Sequence, residues 1–213
     1  MSWLQKRPQA SMPITYYTSG QNNILILVGL GNPGNKYAGT RHNIGFDCLD
    51  HFVAKFSEMS DWVGKNDLKC LFSSGRIGES QVIAIKPTTY MNLSGESVAS
   101  VLGFYKAQLE HLVVVHDELD IKFGQIRTRV GGQDAGHNGI KSISEHIGES
   151  FGRIRIGIGP KKPPEIDSAD FVLQKFAVDE EKQLNNLRME CTAILSEFIY
   201  NKSLPTETRS FIV

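Results

Sequence analysis

Ile24-Leu-Ile-Leu-Val28 runs straight into Gly29-Leu30-Gly31-Asn32-Pro33-Gly34, and this junction restricts the chain more than any other stretch. An apolar, β-branched run this short reads as a buried strand rather than a helix. Gly and Pro then force a turn. Beyond it, Ile44, Cys48, Leu49, Phe52, Val53 and Phe56 recur at helical spacing, which predicts a helix starting between Thr40 and Asn43. Strand, turn and helix in this order place Asn32, Tyr37 and His42 in a loop at the carboxyl end of a strand. Open α/β sheets bind their ligands at such ends.

The alternation continues. Leu68 to Ser73 and Gln81 to Lys86 read as strands joined through Gly78-Glu79-Ser80, and Leu112 to His116, Gln125 to Val130 and Arg153 to Ile158 as three more. Helices are expected after Ser94, around Ile140, Ile143 and Ile147, and behind an N-cap at Asp179, with Leu187, Cys191, Ile194, Leu195 and Phe198 facing inward. Strands and helices that alternate without repeats predict one three-layer α/β/α domain over residues 24–200. Alternation of this kind predicts a mostly parallel, twisted sheet with helices on its faces. Residues 1–23 read as an N-terminal extension without a secretory h-region, and 201–213 as a polar, exposed tail.

Positive and negative side chains number 23 each, so an anionic partner has to be held by a local patch. The three cysteines, Cys48, Cys70 and Cys191, form no C-x-x-C pair and read as reduced thiols of a cytoplasmic protein. No apolar run approaches the roughly 20 residues that span a bilayer.

Four polar segments meet the sheet edge: Asn32 to Asn43, Lys86 to Ser94, His116 to Asp120, and Gly131 to Gly139. Among them His42 has the side chain of a general base, with an ordinary pKa of about 6.5. Asp117, expected just past a strand, is placed to fix its tautomer and leave the other ring nitrogen basic. Spacing alone equally admits a plainer account, in which His42 caps a helix start and Asp117 bonds a turn. Asn32, Asn92 and Asn138 lie in three different segments, and each amide offers a donor and an acceptor to a peptide-like ligand. Singly, each Asn also suits a turn or a cap. Tyr37 and Tyr90 offer flat faces or ordinary packing, and the glycines of Gly131 to Gly139 a closing loop or a turn. Arg129, Lys141, Arg153 and Arg155 form a phosphate patch or a solvated face.

Two other chemistries compete. Gly29-Leu-Gly31-Asn-Pro-Gly34 satisfies G-x-G-x-x-G, but the polar stretch to Asn43 delays the helix that a pyrophosphate needs, and the second strand ends in Ser73-Ser74 rather than an acid. His42, His116, His137, Asp117 and Asp120 lack any metal-binding spacing such as H-E-x-x-H. With no G-x-S-x-G elbow and no cysteine near the motifs, water is the expected nucleophile. A non-catalytic RNA-binding module stands as the third class.

Taken together, Gly-Leu-Gly-Asn-Pro-Gly, Tyr37, Thr-Arg-His-Asn-x-Gly-Phe, Lys-Pro-x-x-Tyr-Met-Asn-x-Ser-Gly, His-Asp-Glu-Leu-Asp, Gly-His-Asn-Gly and Arg-x-Arg-Ile-Gly-Ile-Gly resemble the bacterial-type peptidyl-tRNA hydrolases over about residues 24 to 200. The resemblance implies a phosphorylase/hydrolase-like α/β/α fold with a mixed, mostly parallel twisted central sheet, and a monomeric, cytoplasmic, cofactor-free and metal-free hydrolase that cleaves the ester between a peptide and the 3′ ribose of tRNA. It makes His42 the base, Asp117 its stabilising acid and Asn32 the group that tells blocked from free aminoacyl-tRNA. It places Tyr37, Tyr90, Asn92 and Asn138 against the tRNA or peptide end, Met91 beside them in the cleft, and Arg129 and Arg155 on tRNA phosphates. The chain departs from the family pattern at Gln133-Asp134-Ala135, at Ile121 to Gly124, and in its first 23 residues.

Overall fold

The computed structural model describes residues 23–212, so the extension expected before the first strand lies outside the described residues except for Asn23. Among the described residues the strands are β1 (Ile24–Gly29), β2 (Val63–Lys65), β3 (Cys70–Ile77), β4 (Ser80–Pro87), β5 (Leu112–Lys122), β6 (Gln125–Val130), β7 (Gly152–Gly159) and β8 (Glu207–Ser210). The α-helices are α1 (Ile44–Lys55), α2 (Ser94–Tyr105), α3 (Asn138–Ile147), α4 (Ser168–Val172), α5 (Val178–Glu181) and α6 (Leu184–Asn201). No helix among them is long and apolar enough to cross a membrane.

All strands join one mixed sheet in the order β2-β3-β4-β1-β5-β7-β6-β8. Parallel pairing is confined to the central strands β4, β1, β5 and β7, while the outer pairings are antiparallel. The sheet is therefore less parallel than the alternating pattern suggested, because the β3–β4 hairpin and the return strands β6 and β8 need no crossover helix. The hairpin turns at Gly78-Glu79, with Gly78 at φ +58°.

Strand β1 shows how the layers arise. Leu25 and Leu27 point into a core with Ile44, Leu49 and Phe52 of α1 and Leu187, Ile194 and Phe198 of α6. Ile24, Ile26 and Val28 point the other way, against Val98 and Val101 of α2 and Ile140 and Ile143 of α3. A strand buried on both faces has no polar side to show, hence its unbroken apolar sequence. All three cysteines are free and buried.

Two local expectations are corrected. Asp179 is not a helix N-cap: it lies inside the short α5, paired with Lys182 at 2.9 Å, and α6 starts only after Gln183. The segment after Tyr200 is not an exposed tail throughout, since Glu207–Ser210 pairs with β6 and both Leu204 and Phe211 are buried. Arg209 fastens that strand to α6 through Glu190 and Glu197.

The start of α1 is pressed onto the sheet. A Cβ on Gly29 would stand 2.4 Å from the Gly45 carbonyl oxygen, and one on Gly45 would stand 2.4 Å from that of Val115. Only glycine at both positions lets the helix begin so close to the strand ends. Phe46 then donates to the Leu30 carbonyl at 3.2 Å and Leu30 to that of Val115 at 3.0 Å. Gly45→Ala is expected to lower the unfolding free energy by about 1–3 kcal/mol, as overpacked sites do. A urea midpoint equal to wild type would contradict this packing.

Candidate active site

The site is assembled where β5 outruns β1. The last β1 pairing is Gly29 with Val115, yet β5 continues to Lys122 along β7. Asp117 therefore lies within a strand rather than just past one. It sits beside the gap that β1 leaves, and His42 and His137 fill that gap.

His42 occupies a 3₁₀ turn, Arg41–Asn43, directly before α1. Its Nδ1 lies 2.9 and 3.1 Å from the two carboxylate oxygens of Asp117. A carboxylate accepts, so Nδ1 carries the proton and Nε2 keeps its lone pair. Burial pushes the His42 pKa down, but the Asp117 charge and hydrogen bonds outweigh it and hold the pKa above the ordinary histidine value.

Asp117 accepts a second bond, from His137 Nε2 at 3.0 Å. His137 Nδ1 in turn accepts from the backbone N–H groups of Gly139 and Ile140 and so caps α3, which fixes its proton on Nε2. Burial favours the neutral acid at Asp117, yet the two imidazoles keep its carboxyl ionised far below the usual range. His116 Nδ1 donates to the main-chain carbonyl of Asp117 at 2.7 Å, and burial keeps its ring neutral. The donor atoms of His42, Asp117 and His137 lie within 4.8 Å of one another, close enough to grip a divalent ion, but here they are joined as donors and acceptor of a proton array.

Asn32 is oriented by two contacts. The Asn43 side chain accepts from the Asn32 backbone N–H and donates to its carbonyl, both at 2.9 Å. Asn32 Oδ1 accepts from the Met91 backbone N–H at 2.9 Å. Because a backbone N–H only donates, the amide cannot be flipped, and its NH₂ group is left for the cavity.

That cavity, about 800 Å³, is lined by Asn32, His42, Tyr90, Met91, Asn92, Asp117 and Asn138 together with Glu118, His137 and, from a more distant segment, Asp167, Ser168, Ala169, Val172 and Leu173. The loops after β1 and β4, strand β5 and the start of α3 thus converge as the sequence suggested. Tyr37 stands outside the lining, its ring edge-on to Tyr90 at 6.4 Å. Arg129 and Arg155 are also outside. Arg129 donates to the Gln133 carbonyl at 2.9 Å, and Arg155 lies 3.3 Å from Glu118. Arg153 is no part of a solvated face: it is 1% exposed, packed over Phe151, and also donates to Gln133.

Sequence reasoning missed the positioning roles of His137 and Asn43 and the wall formed by residues 167–173. Gly-His-Asn-Gly directly before a helix was the available signal, but histidine is an unusual N-cap and drew attention only as a metal ligand.

A family model described as peptidyl-tRNA hydrolase matches residues 26–211. The chain belongs to the peptidyl-tRNA hydrolase family. A peptidyl-tRNA hydrolase of Sulfurovum sp. (strain NBC37-1) is 42% identical over 176 residues, covering 81% of this chain and 89% of that one. A chloroplastic peptidyl-tRNA hydrolase of Arabidopsis thaliana is 42% identical over 183 residues, 84% of this chain and 62% of its own. The crystal structure of peptidyl-tRNA hydrolase from Acinetobacter baumannii superposes with a TM-score of 0.77 at 34% identity, over 86% of this chain and 92% of that one. The family match extends through β8, in keeping with the structural role of that strand.

In this peptidyl-tRNA hydrolase family member, replacing Asp117 by Asn removes the charge that offsets burial at His42. The His42 pKa, followed by NMR titration of its ring protons, is expected to fall from above the ordinary value to below it. A pKa that stays raised in Asp117→Asn would show that another group sets it.

Proposed function

We propose that this chain hydrolyses the ester between a peptide, or an N-blocked amino acid, and the 3′ ribose of tRNA, with water as nucleophile and His42 as base. The observation that carries this reading is the pairing of a free His42 Nε2 with the free NH₂ group of Asn32 on one cavity. Water bound at Nε2 loses its proton to His42 as it attacks the ester carbonyl, and Asp117 steadies the imidazolium that results. The Asn32 amide donates to the acyl group, while Asn92 and Asn138 offer peptide-matching donors and acceptors along the lining. In the second half of the reaction the imidazolium returns the proton to the departing ribose oxygen.

Tyr37 and Tyr90, edge to face, offer a platform for the tRNA end, with Met91 beside them. Arg129 and Arg155 are assigned to the phosphates, Arg155 at the expense of its contact with Glu118. The reading includes no metal or cofactor, a monomeric enzyme and a cytoplasmic location. Free buried thiols support that compartment. The domain itself is taken as residues 24–200, with the β8 segment packed onto it.

The test is release of N-acetylaminoacyl groups from tRNA without added metal or cofactor. His42→Ala is expected to reduce kcat by about 10²–10⁴-fold while tRNA affinity stays within a factor of two. Undiminished turnover would overturn the assignment.

Asn32→Asp keeps the acceptor for Met91 N–H but replaces the donor by a charge that attracts a free α-ammonium. The rate ratio of blocked to free aminoacyl-tRNA is expected to fall by roughly 10-fold or more. An unchanged ratio would remove Asn32 from substrate discrimination.

A further inference from the structure

We propose that Arg41 is a positioning residue that docks the 167–176 segment onto the loop bearing the catalytic base, and so sets the acyl side-chain specificity of the cleft. This rests on the ester-hydrolase reading above.

Arg41 is only 5% exposed and makes every major contact with one stretch of chain. Its backbone N–H donates to the Gln174 carbonyl at 3.0 Å, Nη1 donates to the Lys175 carbonyl, and Nη2 pairs with Glu180 at 2.6 Å. Its guanidinium carbon lies 4.5 Å from the centre of the Phe171 ring and 5.1 Å from that of Phe176. Thr40 adds an isolated β-bridge to Lys175. A planar fork that donates twice while stacking on two rings is a task for arginine, since the compact ammonium of lysine can do only part of it.

The docked segment puts Ala169, Val172 and Leu173 into the cavity that holds His42 and Asn32. They form an apolar strip, with Asp167 and Ser168 of the same segment at its end, facing the amides and imidazoles of Asn32, Asn92, Asn138, His42 and His137. Ribose and phosphate ask for hydrogen-bond donors, whereas an apolar wall suits the side chain of the esterified residue. Arg41 and His42 are consecutive in one 3₁₀ turn; Asp117 holds the base, and Arg41 holds the wall beside it.

Steady-state kinetics on tRNA carrying N-acetylphenylalanine and on tRNA carrying N-acetylglycine test this. Arg41→Met is expected to raise KM for the phenylalanyl ester roughly 5- to 20-fold and for the glycyl ester less than about 2-fold, with kcat and its pH profile unchanged. Arg41→Lys should recover part of the difference. Glu180→Gln, which keeps an acceptor and is remote from His42 in sequence, should move KM in the same direction by less, and it carries the test if Arg41→Met does not fold. Equal KM changes for the two esters, or a fall in kcat at constant KM, would mean that Arg41 acts through His42 or the fold at large, and would overturn the inference. A wild-type protein that leaves both esters intact would instead overturn the hydrolase reading itself.

Discussion

Asp117 is a carboxylate with 2% exposure, placed inside a strand, and the site is organised around satisfying it. An unpaired charge at that depth would cost several kcal/mol, so its partners are obligatory. The two donors it accepts come from opposite helical layers: His42 precedes α1 and His137 caps α3. One carboxylate thus fastens both layers to the central strand. The charge that raises the proton affinity of His42 is also the charge that fixes where His42 stands.

This arrangement needs a gap in the sheet and helices close enough to fill it. The gap comes from the unequal lengths of β1 and β5, and the closeness comes from Gly29 and Gly45. Of the three glycines that look like a phosphate cradle in the sequence, Gly34 stands in open space at φ +100°, while Gly29 is used for close packing against the Gly45 backbone. Gly31 serves in the same way, under the Phe46 ring, where an added Cβ would fall 2.7 Å from a ring carbon. That loop presents the side chains of Asn32 and His42 to the cavity, with Asn43 bracketing Asn32 so that a flexible amide presents one fixed face.

What could be read from sequence follows from how local each signal is. Buried strands β1, β4 and β5 and the helices packed on them carry strong periodicity, because each face meets a core. The His42–Asp117 pair could be raised as one of two accounts, but separating a base from a cap requires a contact across 75 residues. The short edge strands β2 and β8 escaped for the opposite reason. β2 is exposed at all three residues, and β8 alternates between half-buried and exposed without an apolar face. The displaced start of the last helix has a similar cause: Asp179 has the chemistry of a cap, but Glu180 accepts from the Ala177 N–H at 2.7 Å and begins a separate turn earlier. His137 stayed hidden because its role is defined by atoms on two other elements.

The arginines beside the site carry the last step. Across β6 and β7, Arg127 faces Arg155 and Arg129 faces Arg153, a row of four cations in a protein without net charge. Like charges set so close repel unless compensating contacts hold them, and the structure supplies these. Arg153 is buried against Phe151 and the Gln133 carbonyl, Arg155 leans on Glu118, and Arg129 shares Gln133, while Arg127 stays exposed beside Gln125. Gln133 lies in the glycine loop that leads into His137, so the two arginines holding its carbonyl also steady the approach to the α3 cap and, through it, Asp117. A polyanion drawing on Arg129 would therefore pull on the same backbone carbonyl that supports the site. The Arg129 surface and the proton array are two ends of one short connection, from Arg129 through residues 133–137 to the carboxylate.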